Sequence, residues 1–513
     1  MKAPIKALKA GALATVASAA IVTTTAEPVH AQNIDDAIKA YNEDRHIDAA
    51  VFFYDVIQNG NNPEARVKAE FYIGQSLYKA GYLFPAMRFY ADVFNSGDAH
   101  PYFLKATEGL LKVAEDIGDD TLIPEVINKG YTGEFAKLNQ KLDQINYLIG
   151  TITQRRGNYD EARDFLSAVS KKSGDLYVKA RYLLAVLAVK TAAEKQADSY
   201  EEAIKYFSEI ESMLATATDD TSKKLYRLAV LGKARAYYSQ GDWKESVDYY
   251  EKVPRFSDDW YDAMYESGWA YFQNGEFGKA LGMVHGIQSP YFDERYRAES
   301  WVLKATTYFQ MCHFDRGRKA LDSFFAIYEP MSEQIKKNWL EGEQTDEEIL
   351  DVIMKGDPRM HGEIRNQILQ NRRFKKFYDT VTEASREMKK AEKEIPEGAL
   401  KAAVQSMLGE ERESRVALAG KLAREQLKRE SAFLDDFINQ SRIIKFEIAD
   451  GERRALELGF DITKGPRAKG PRPFVPSSRY QYWAFLGEYW IDELGYYQHS
   501  IKDECGVATA EKQ

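Results

Sequence analysis

Apolar side chains recur at helical spacing through the first two thirds of the chain. Within successive segments they fall at i, i+3, i+4 and i+7, which is the period of an α-helix that buries one face. Glycine and proline interrupt the pattern where one segment passes into the next. The pattern predicts an all-α fold that is built from many short helices.

The helical segments repeat a common order of small and aromatic residues. In ESGWAYFQNGEFGKALGMVHGI, at 266–287, the order comprises Gly268, Tyr271, Gly275 and Ala280. The small residue of the second helix returns along the chain at positions 50, 86, 162, 203, 246, 280 and 317. The interval between 86 and 162 is about twice the others, so we expect one degenerate copy around 102–130.

This pattern resembles the tetratricopeptide repeat, a helix–turn–helix unit of about 34 residues. The resemblance covers roughly residues 34–330 and implies a solenoid of about eight repeats, one or two of them degenerate. Proline is mostly missing from the repeat ends, and two connectors are long. Gly157, Gly241 and Gly275 lie at the expected turns, where glycine tolerates the positive φ that ends a helix.

The resemblance also implies which side chains line the concave groove, the usual binding surface of such stacks. They flank the packing residues of the first helix in each pair, and they are Arg235, Tyr238, Tyr265, Trp269, Phe272, Val302 and Phe309, with Phe71 and Tyr78 further upstream. Aromatic residues dominate binding energy at protein interfaces. Alternatively, these side chains pack on a neighbouring repeat or on the C-terminal part, and both interpretations remain open here.

The pattern changes after Pro330. Residues 331–370 are predicted to form irregular helices with a break at 356–358. A seam of apolar residues at alternating spacings of three and four follows, namely Phe374, Phe377, Val381, Ala384, Met388, Ala391 and Ile395. IPEG at 395–398 predicts a turn before a second helix over roughly 399–449. We expect 331–463 to form a long-helix coiled-coil hairpin that projects from the solenoid, with an intermolecular coiled coil as the alternative.

The C-terminal part combines a linker with an aromatic segment. KGPRAKGPRPFVPSS at 464–478 is typical of an extended Pro/Gly linker. The segment 479–513 is too rich in large apolar groups to stay in water, so it either docks back onto the protein or inserts into a partner. The two cysteines, Cys312 and Cys505, allow one intramolecular disulfide, which would attach this segment to the last repeat. Two unpaired buried thiols are the alternative.

The first 31 residues have the features of a signal peptide. A basic start, MKAPIKALK, precedes the short apolar run AGALATVASAAIV, and Val29-His30-Ala31 gives a small-x-small site. We expect cleavage after Ala31, export to a bacterial periplasm, and a solenoid over 32–330. The remainder contains no apolar run near the ~20 residues of a transmembrane helix. The formal net charge of −9 argues against a nucleic-acid partner.

The sequence contains no motif that points to catalysis. HExxH, CxxC, GxSxG and GxxxxGK[ST] are all missing, so we expect no enzyme, no cofactor and no metal site. The favoured interpretation is a periplasmic scaffold that binds an envelope protein or peptide through the concave groove. The layout also looks like envelope repeat proteins of predatory and gliding bacteria, which implies a motility or secretion assembly. A cell-wall-binding or envelope-maintenance module is the alternative, and the oligomeric state stays open.

Overall fold

The computed structural model describes residues 34–457, apart from positions 294, 296 and 297, and residues 487–505. Within these ranges the regular structure is helical and contains no strand. The predicted signal peptide, the linker at 464–478, and residues 479–486 and 506–513 of the aromatic segment lie outside the described residues.

The first part of the structure consists of consecutive helix pairs. Its sixteen helices are α1 (Ile34–Asn42), α2 (His46–Asn59), α3 (Pro63–Lys79), α4 (Leu83–Asn95), α5 (Phe103–Ile117), α6 (Leu122–Lys129), α7 (Gln140–Arg155), α8 (Tyr159–Ser167), α9 (Asp175–Glu194), α10 (Glu201–Leu214), α11 (Asp220–Gln240), α12 (Trp243–Tyr250), α13 (Trp260–Gln273), α14 (Phe277–Ile287), α15 (Ala298–Gln310) and α16 (Phe314–Ile335). Short 3-10 helices lie in three connectors, at Gly133–Leu138, Lys171–Ser173 and Pro290–Phe292. The third pair, α5 and α6, occupies the stretch where the sequence repeat is weakest.

Small residues allow the two helices of a pair to approach closely. The second-helix position predicted from the repeat is buried throughout, at Ala50, Ala86, Ala162, Ala203, Ser246, Ala280 and Gly317. On the first helix, a methyl group added at Gly150 would collide with Leu166 of the paired helix. The predicted turn conformation is confirmed at Gly157, Gly241 and Gly275, whose φ values are 83°, 87° and 79°.

The pairs stack into a solenoid. Most successive odd-numbered helices pack side by side, from α1 on α3 through α9 on α11, and again α13 on α15. The buried apolar side chains form a series of clusters between neighbouring helices. In a stack of this kind each repeat is stabilised by its neighbours, and one layer of helices forms the concave side. The odd-numbered helices pack on one another in this way, so we assign the concave side to them.

The last solenoid helix does not end at Pro330, where the sequence pattern changes. Helix α16 continues to Ile335, and a π-helical turn follows at Lys336–Leu340. Proline usually disrupts a helix interior because it lacks an N–H group. Here Met331, Ile335 and Trp339 are all buried in one apolar cluster beyond the proline, and this packing favours the continued helix.

Four further helices follow, α17 (Asp346–Lys355), α18 (Gly362–Gln370), α19 (Arg372–Glu394) and α20 (Ala399–Glu457). Helices α19 and α20 pack together as the predicted hairpin, and the turn lies at 395–398. The predicted seam residues Phe374, Phe377, Val381, Ala384, Ala391 and Ile395 are buried. At 59 residues, α20 is about 88 Å long, given a rise of 1.5 Å per residue.

The hairpin does not project from the solenoid, contrary to the sequence-based expectation. Leu400, Val404 and Leu408, near its turn, join the apolar core of the first repeats, and α20 packs on α2 and α4 there. At its other end Ile448 packs against Leu321 in the cluster formed with α15 and α16. Burial of apolar side chains at both ends favours this position over a projecting arm. The hairpin therefore links the first and last repeats.

Among the described helices, none is both long enough and apolar enough to cross a membrane.

Candidate functional site

The groove side of α11, α13 and α15 carries four of the nine predicted groove residues, namely Arg235, Tyr265, Trp269 and Phe272. On α13, Tyr265, Glu266 and Trp269 follow Asp262 by three, four and seven positions, so the four residues share one face. Arg235 of α11 and Glu299 of α15 contact this face from either side. We call these six residues the groove cluster.

An ion pair fixes one edge of the groove cluster. Arg235 Nε donates to Glu266 Oε2 at 2.7 Å, and Arg235 Nη2 donates to Glu266 Oε1 at 2.6 Å. Tyr250 of α12 donates from its hydroxyl to Glu266 Oε2 at 3.0 Å. The two-point contact holds the guanidinium plane in one orientation, while the Arg235 side chain remains 47% exposed. Arg235 is thus both fixed and accessible to a partner.

Two other carboxyl groups of the cluster have no ion-pair partner in the described structure. The Tyr265 hydroxyl donates to Glu299, and burial raises the pKa of Glu299 to about 7. The pKa of Asp262 is also raised, by desolvation and by the negative charge of Glu266, while the positive charges of Arg235 and Arg295 offset part of this shift. A cationic group placed here would favour the charged form of both carboxyl groups. The site is therefore suited to a lysine or arginine side chain from outside.

Trp269 offers a half-buried apolar surface. Its ring meets Phe272 edge to face, with centroids 5.9 Å apart, and Phe272 packs in turn on Phe277 at 5.4 Å. The indole Nε1 of Trp269 is enclosed and has no hydrogen-bond partner among the described residues. A bound chain would therefore meet the ring of Trp269 rather than its N–H group.

The other predicted residues are placed differently. Val302 is only 2% exposed and offers no surface to a partner. Tyr238 packs on Trp243, with ring centroids 5.1 Å apart. Phe309 packs against Phe314 and the end of α20. These three side chains therefore pack within the protein, which was the alternative to a place in the groove.

The two upstream candidates are also engaged within the chain. Phe71 is buried, and its ring stacks on Tyr102 with centroids 4.9 Å apart. The Tyr78 hydroxyl donates to Asp116, and this hydrogen bond, followed by burial, raises the pKa of Tyr78 to about 12. Neither residue adds to the groove cluster.

Sequence reasoning missed the acidic members of the groove cluster. Asp262, Glu266 and Trp269 follow one another at i, i+4 and i+7, so their shared face could have been read from the spacing alone. The hydrogen bond from Tyr265 to Glu299 could not be predicted from the sequence, because it depends on how α13 and α15 pack.

The C-terminal segment lies on α14, outside the groove. His499 donates its backbone N–H to the carbonyl of Gly278 at 2.9 Å, and the ring of Tyr489 stacks on His285 with centroids 4.4 Å apart. Leu494 is buried in the core between α13 and α14. The described part of the segment therefore docks back onto the protein.

Two of the three glycines on α14 make room for this docked segment. Gly278, Gly282 and Gly286 lie four residues apart and form one stripe along the helix. A methyl group at Gly282 would overlap the carbonyl oxygen of Tyr497, and one at Gly278 would meet that of His499. Gly278 and Gly282 thus lie against the backbone of the C-terminal segment, whereas Gly286 faces the sulfur of Met264. The repeat pattern predicts glycines at turns and between paired helices, and it does not predict this contact.

Cys312 and Cys505 form a disulfide, with Cα atoms 5.1 Å apart. Beside it, Glu504 donates its N–H to the carbonyl of Met311 at 3.2 Å, and a ring nitrogen of His313 lies 2.8 Å from the carbonyl of Lys502. The covalent bond attaches the docked segment to the turn between α15 and α16. In the part of the chain that the structure describes, no group of His, Cys, Asp and Glu is arranged to hold a metal ion.

Comparison with known proteins supports the repeat assignment. The family model described as "Tetratricopeptide repeat" matches residues 228–255, which span the second half of α11, all of α12 and the following turn. A search of curated proteins finds no match. The chain is thus similar to tetratricopeptide-repeat proteins, both in sequence at this repeat and in the helical stack around it.

Proposed function

We propose that the protein is a non-enzymatic scaffold whose groove cluster binds a segment of another protein. Tetratricopeptide-repeat solenoids generally serve protein–protein interaction, and the matched repeat contributes Arg235 to the groove. The proposal rests on two carboxyl groups that have no ion-pair partner among the described residues, Asp262 and Glu299, on the same groove side as the half-buried ring of Trp269. Together they suit a chain that presents a basic side chain beside an apolar one.

The mode of binding follows from the chemistry of the cluster. Trp269 and Phe272 supply an apolar anchor site, and Arg235 gives a fixed cation for a carboxylate of the partner. Asp262 and Glu299 take the basic side chain. A partner segment with apolar, basic and acidic side chains in a defined order would therefore be selected over one of uniform charge.

We further propose that the protein acts in a bacterial periplasm and that its partner is an envelope protein or peptide. The signal-peptide pattern at 1–31 supports export, and a disulfide is typical of oxidising compartments. A place in an envelope-spanning motility or secretion assembly stays a prediction from the narrower resemblance.

The proposal is tested by charge reversal in the groove. The protein is immobilised in three forms, namely wild type, the double variant Asp262→Lys/Glu299→Lys, and the control Glu392→Lys, whose position is exposed on α19. Each form is incubated with envelope extract and, separately, with purified peptidoglycan. We expect a protein that is retained by wild type and the control but not by the double variant. Retention of peptidoglycan alone, or equal retention by all three forms, would contradict a protein-binding groove.

A further inference from the structure

Large apolar side chains are exposed together on the side of α14 that carries the C-terminal segment. Two come from solenoid connectors and three from the docked segment, and each is more than half exposed: Phe256 (51%), Tyr291 (55%), Trp490 (53%), Ile491 (56%) and Tyr496 (66%). Residues of this size are usually much more buried, and exposed clusters of them mark interaction sites. We call these five residues the composite patch.

Arg255 joins the two halves of the composite patch. Its Nη2 donates to the carbonyls of Asp492 at 2.8 Å and Leu494 at 2.9 Å. The guanidinium carbon also lies 5.1 Å from the ring centroid of Phe256 and 4.4 Å from that of Tyr496. The rings of Phe256 and Tyr291 lie 6.1 Å apart. Arg255 Nη2 also lies 3.4 Å from the carbonyl oxygen of Ile491. Phe256, Tyr291 and Tyr496 are therefore joined in one surface, and Trp490 and Ile491 lie directly before the carbonyls that Arg255 binds. The patch is complete only while the segment is docked.

The backbone at Phe256 is unusual. Its φ is +61°, a left-handed conformation that is rare for a large aromatic residue. The conformation leaves the ring exposed while it touches Trp260, with centroids 4.8 Å apart. Conformations of this kind persist only where surrounding contacts fix them, and they cluster at binding sites. Packing within the protein does not explain why the Phe256 ring is exposed, and binding of a partner would.

The charge around the composite patch is acidic. Asp258, Asp492 and Glu493 are exposed beside its members in sequence. Arg255, at its centre, is occupied by backbone carbonyls of the docked segment. An acidic rim around an apolar centre is complementary to a partner that carries lysine or arginine beside apolar side chains.

From these observations we infer that the composite patch is a second docking site, which binds a polypeptide segment with aromatic or aliphatic side chains flanked by lysine or arginine. The site is separate from the groove cluster, so it stands or falls independently of the proposed function. Because three of its five residues belong to the segment attached through Cys505, binding requires that the segment be docked.

The test uses random 15-residue peptides displayed on phage. They are selected against the oxidised protein carrying Asp262→Lys/Glu299→Lys, so that ligands of the groove are not recovered. Isolated peptides are then synthesised, and their Kd is measured for three proteins on the same background. These are the unmodified background, the patch variant Trp490→Ala/Tyr496→Ala, and the control Phe433→Ala, which removes an aromatic residue exposed on α20.

We expect peptides enriched in Trp, Phe or Leu together with Lys or Arg. Their Kd should rise at least tenfold for the patch variant and for Cys505→Ser, and should not change for the control. Limited proteolysis of 487–505 establishes whether Cys505→Ser releases the segment. The inference is overturned if no peptide is enriched, if the peptides are acidic, or if the patch variant binds as well as the control. Binding of polysaccharide to the patch without enrichment of any peptide would also overturn it.

Discussion

Glu387 of α19 accepts a hydrogen bond at 2.8 Å from the backbone N–H of Leu83, the first residue of α4, across 304 positions of sequence. The other carboxyl oxygen of Glu387 accepts from the N–H of Phe84 at 3.2 Å. One turn further along α19, Lys390 donates to the carbonyl of Ala80, at the end of α3, at 2.6 Å. The hairpin thus caps the two facing helix ends of the second repeat, with charges that complement both helix dipoles.

Replacing Glu387 with alanine should loosen the start of α4, where the hairpin caps the second repeat. The change leaves two N–H groups at the start of α4 without an acceptor, and loss of such a cap costs about 2 kcal/mol. We expect faster hydrogen exchange at Leu83 and Phe84, together with a lower melting temperature. Glu392→Ala, at an exposed position on the same helix, serves as the control. Equal behaviour of the two variants would rule out the capping role.

A buried ion pair holds the hairpin to the third repeat. Arg415 of α20 donates to Asp119 at 3.2 Å, and both side chains are almost completely buried. Asp119 also accepts from the N–H of Thr121 and of Leu122, at the start of α6. Arg415→Met removes the charge that compensates Asp119 and should lower the free energy of unfolding by about 3 kcal/mol.

A double-mutant cycle with Asp119→Asn measures the coupling between the two residues in chemical denaturation. We expect the double variant to lose less free energy than the sum of the single variants. If the losses of unfolding free energy in the two single variants simply add up in the double variant, the interaction between Arg415 and Asp119 does not stabilise the fold.

Stability should depend on the protonation of Glu299. Burial raises its pKa from the ordinary 4.5 to about 7, so between these values the folded protein holds a proton that the unfolded chain has lost. The contribution of this group to stability therefore falls as the pH rises through this window. We expect the melting temperature of Glu299→Gln to fall less between pH 5 and pH 8 than that of wild type. Burial also raises the pKa of Glu387 to about 7, so some slope remains in the variant.

A steeper or unchanged slope in Glu299→Gln would contradict the pKa assignment. Glu392→Gln provides the matched control, because its side chain is exposed and the same substitution there removes one carboxyl group.

A methyl group on the glycine stripe of α14 should displace the C-terminal segment. In Gly282→Ala the added carbon occupies the position of the Tyr497 carbonyl oxygen, while α14 itself gains helix propensity. We expect faster proteolysis within 487–505 with little change in overall helicity. Gly409→Ala is the control, because a methyl group at that position on α20 meets no neighbour. If Gly282→Ala protects the segment as well as Gly409→Ala does, the stripe is not its docking site.

Local features of the fold could be predicted from sequence. The small residues at Ala86, Ala162 and Ala280 and the turn glycines Gly241 and Gly275 mark the helix pairs, because each acts within one repeat. The hairpin was also predictable, since the seam of α19 and the turn at 395–398 are local signals.

Long-range packing could not be predicted in the same way. Distant parts of the chain are joined by the caps from Glu387 and Lys390 and by the ion pair of Arg415 with Asp119. The periodicity of apolar residues does not predict such contacts. The groove cluster was predicted in part. Its aromatic members on α13 follow from the repeat, whereas the ion pair between Arg235 and Glu266 depends on the spacing between two repeats.

The most direct measurement is photo-crosslinking in intact cells from a photoreactive phenylalanine analogue placed at Trp269, read by mass spectrometry. The same analogue at Phe433, exposed on α20, reports chance encounters. We predict that the Trp269 probe captures one foreign protein, that the Phe433 probe does not, and that Asp262→Lys abolishes the capture. Crosslinks from Trp269 that reach only residues of the same chain would show that the groove is self-occupied and would contradict its role as the binding site.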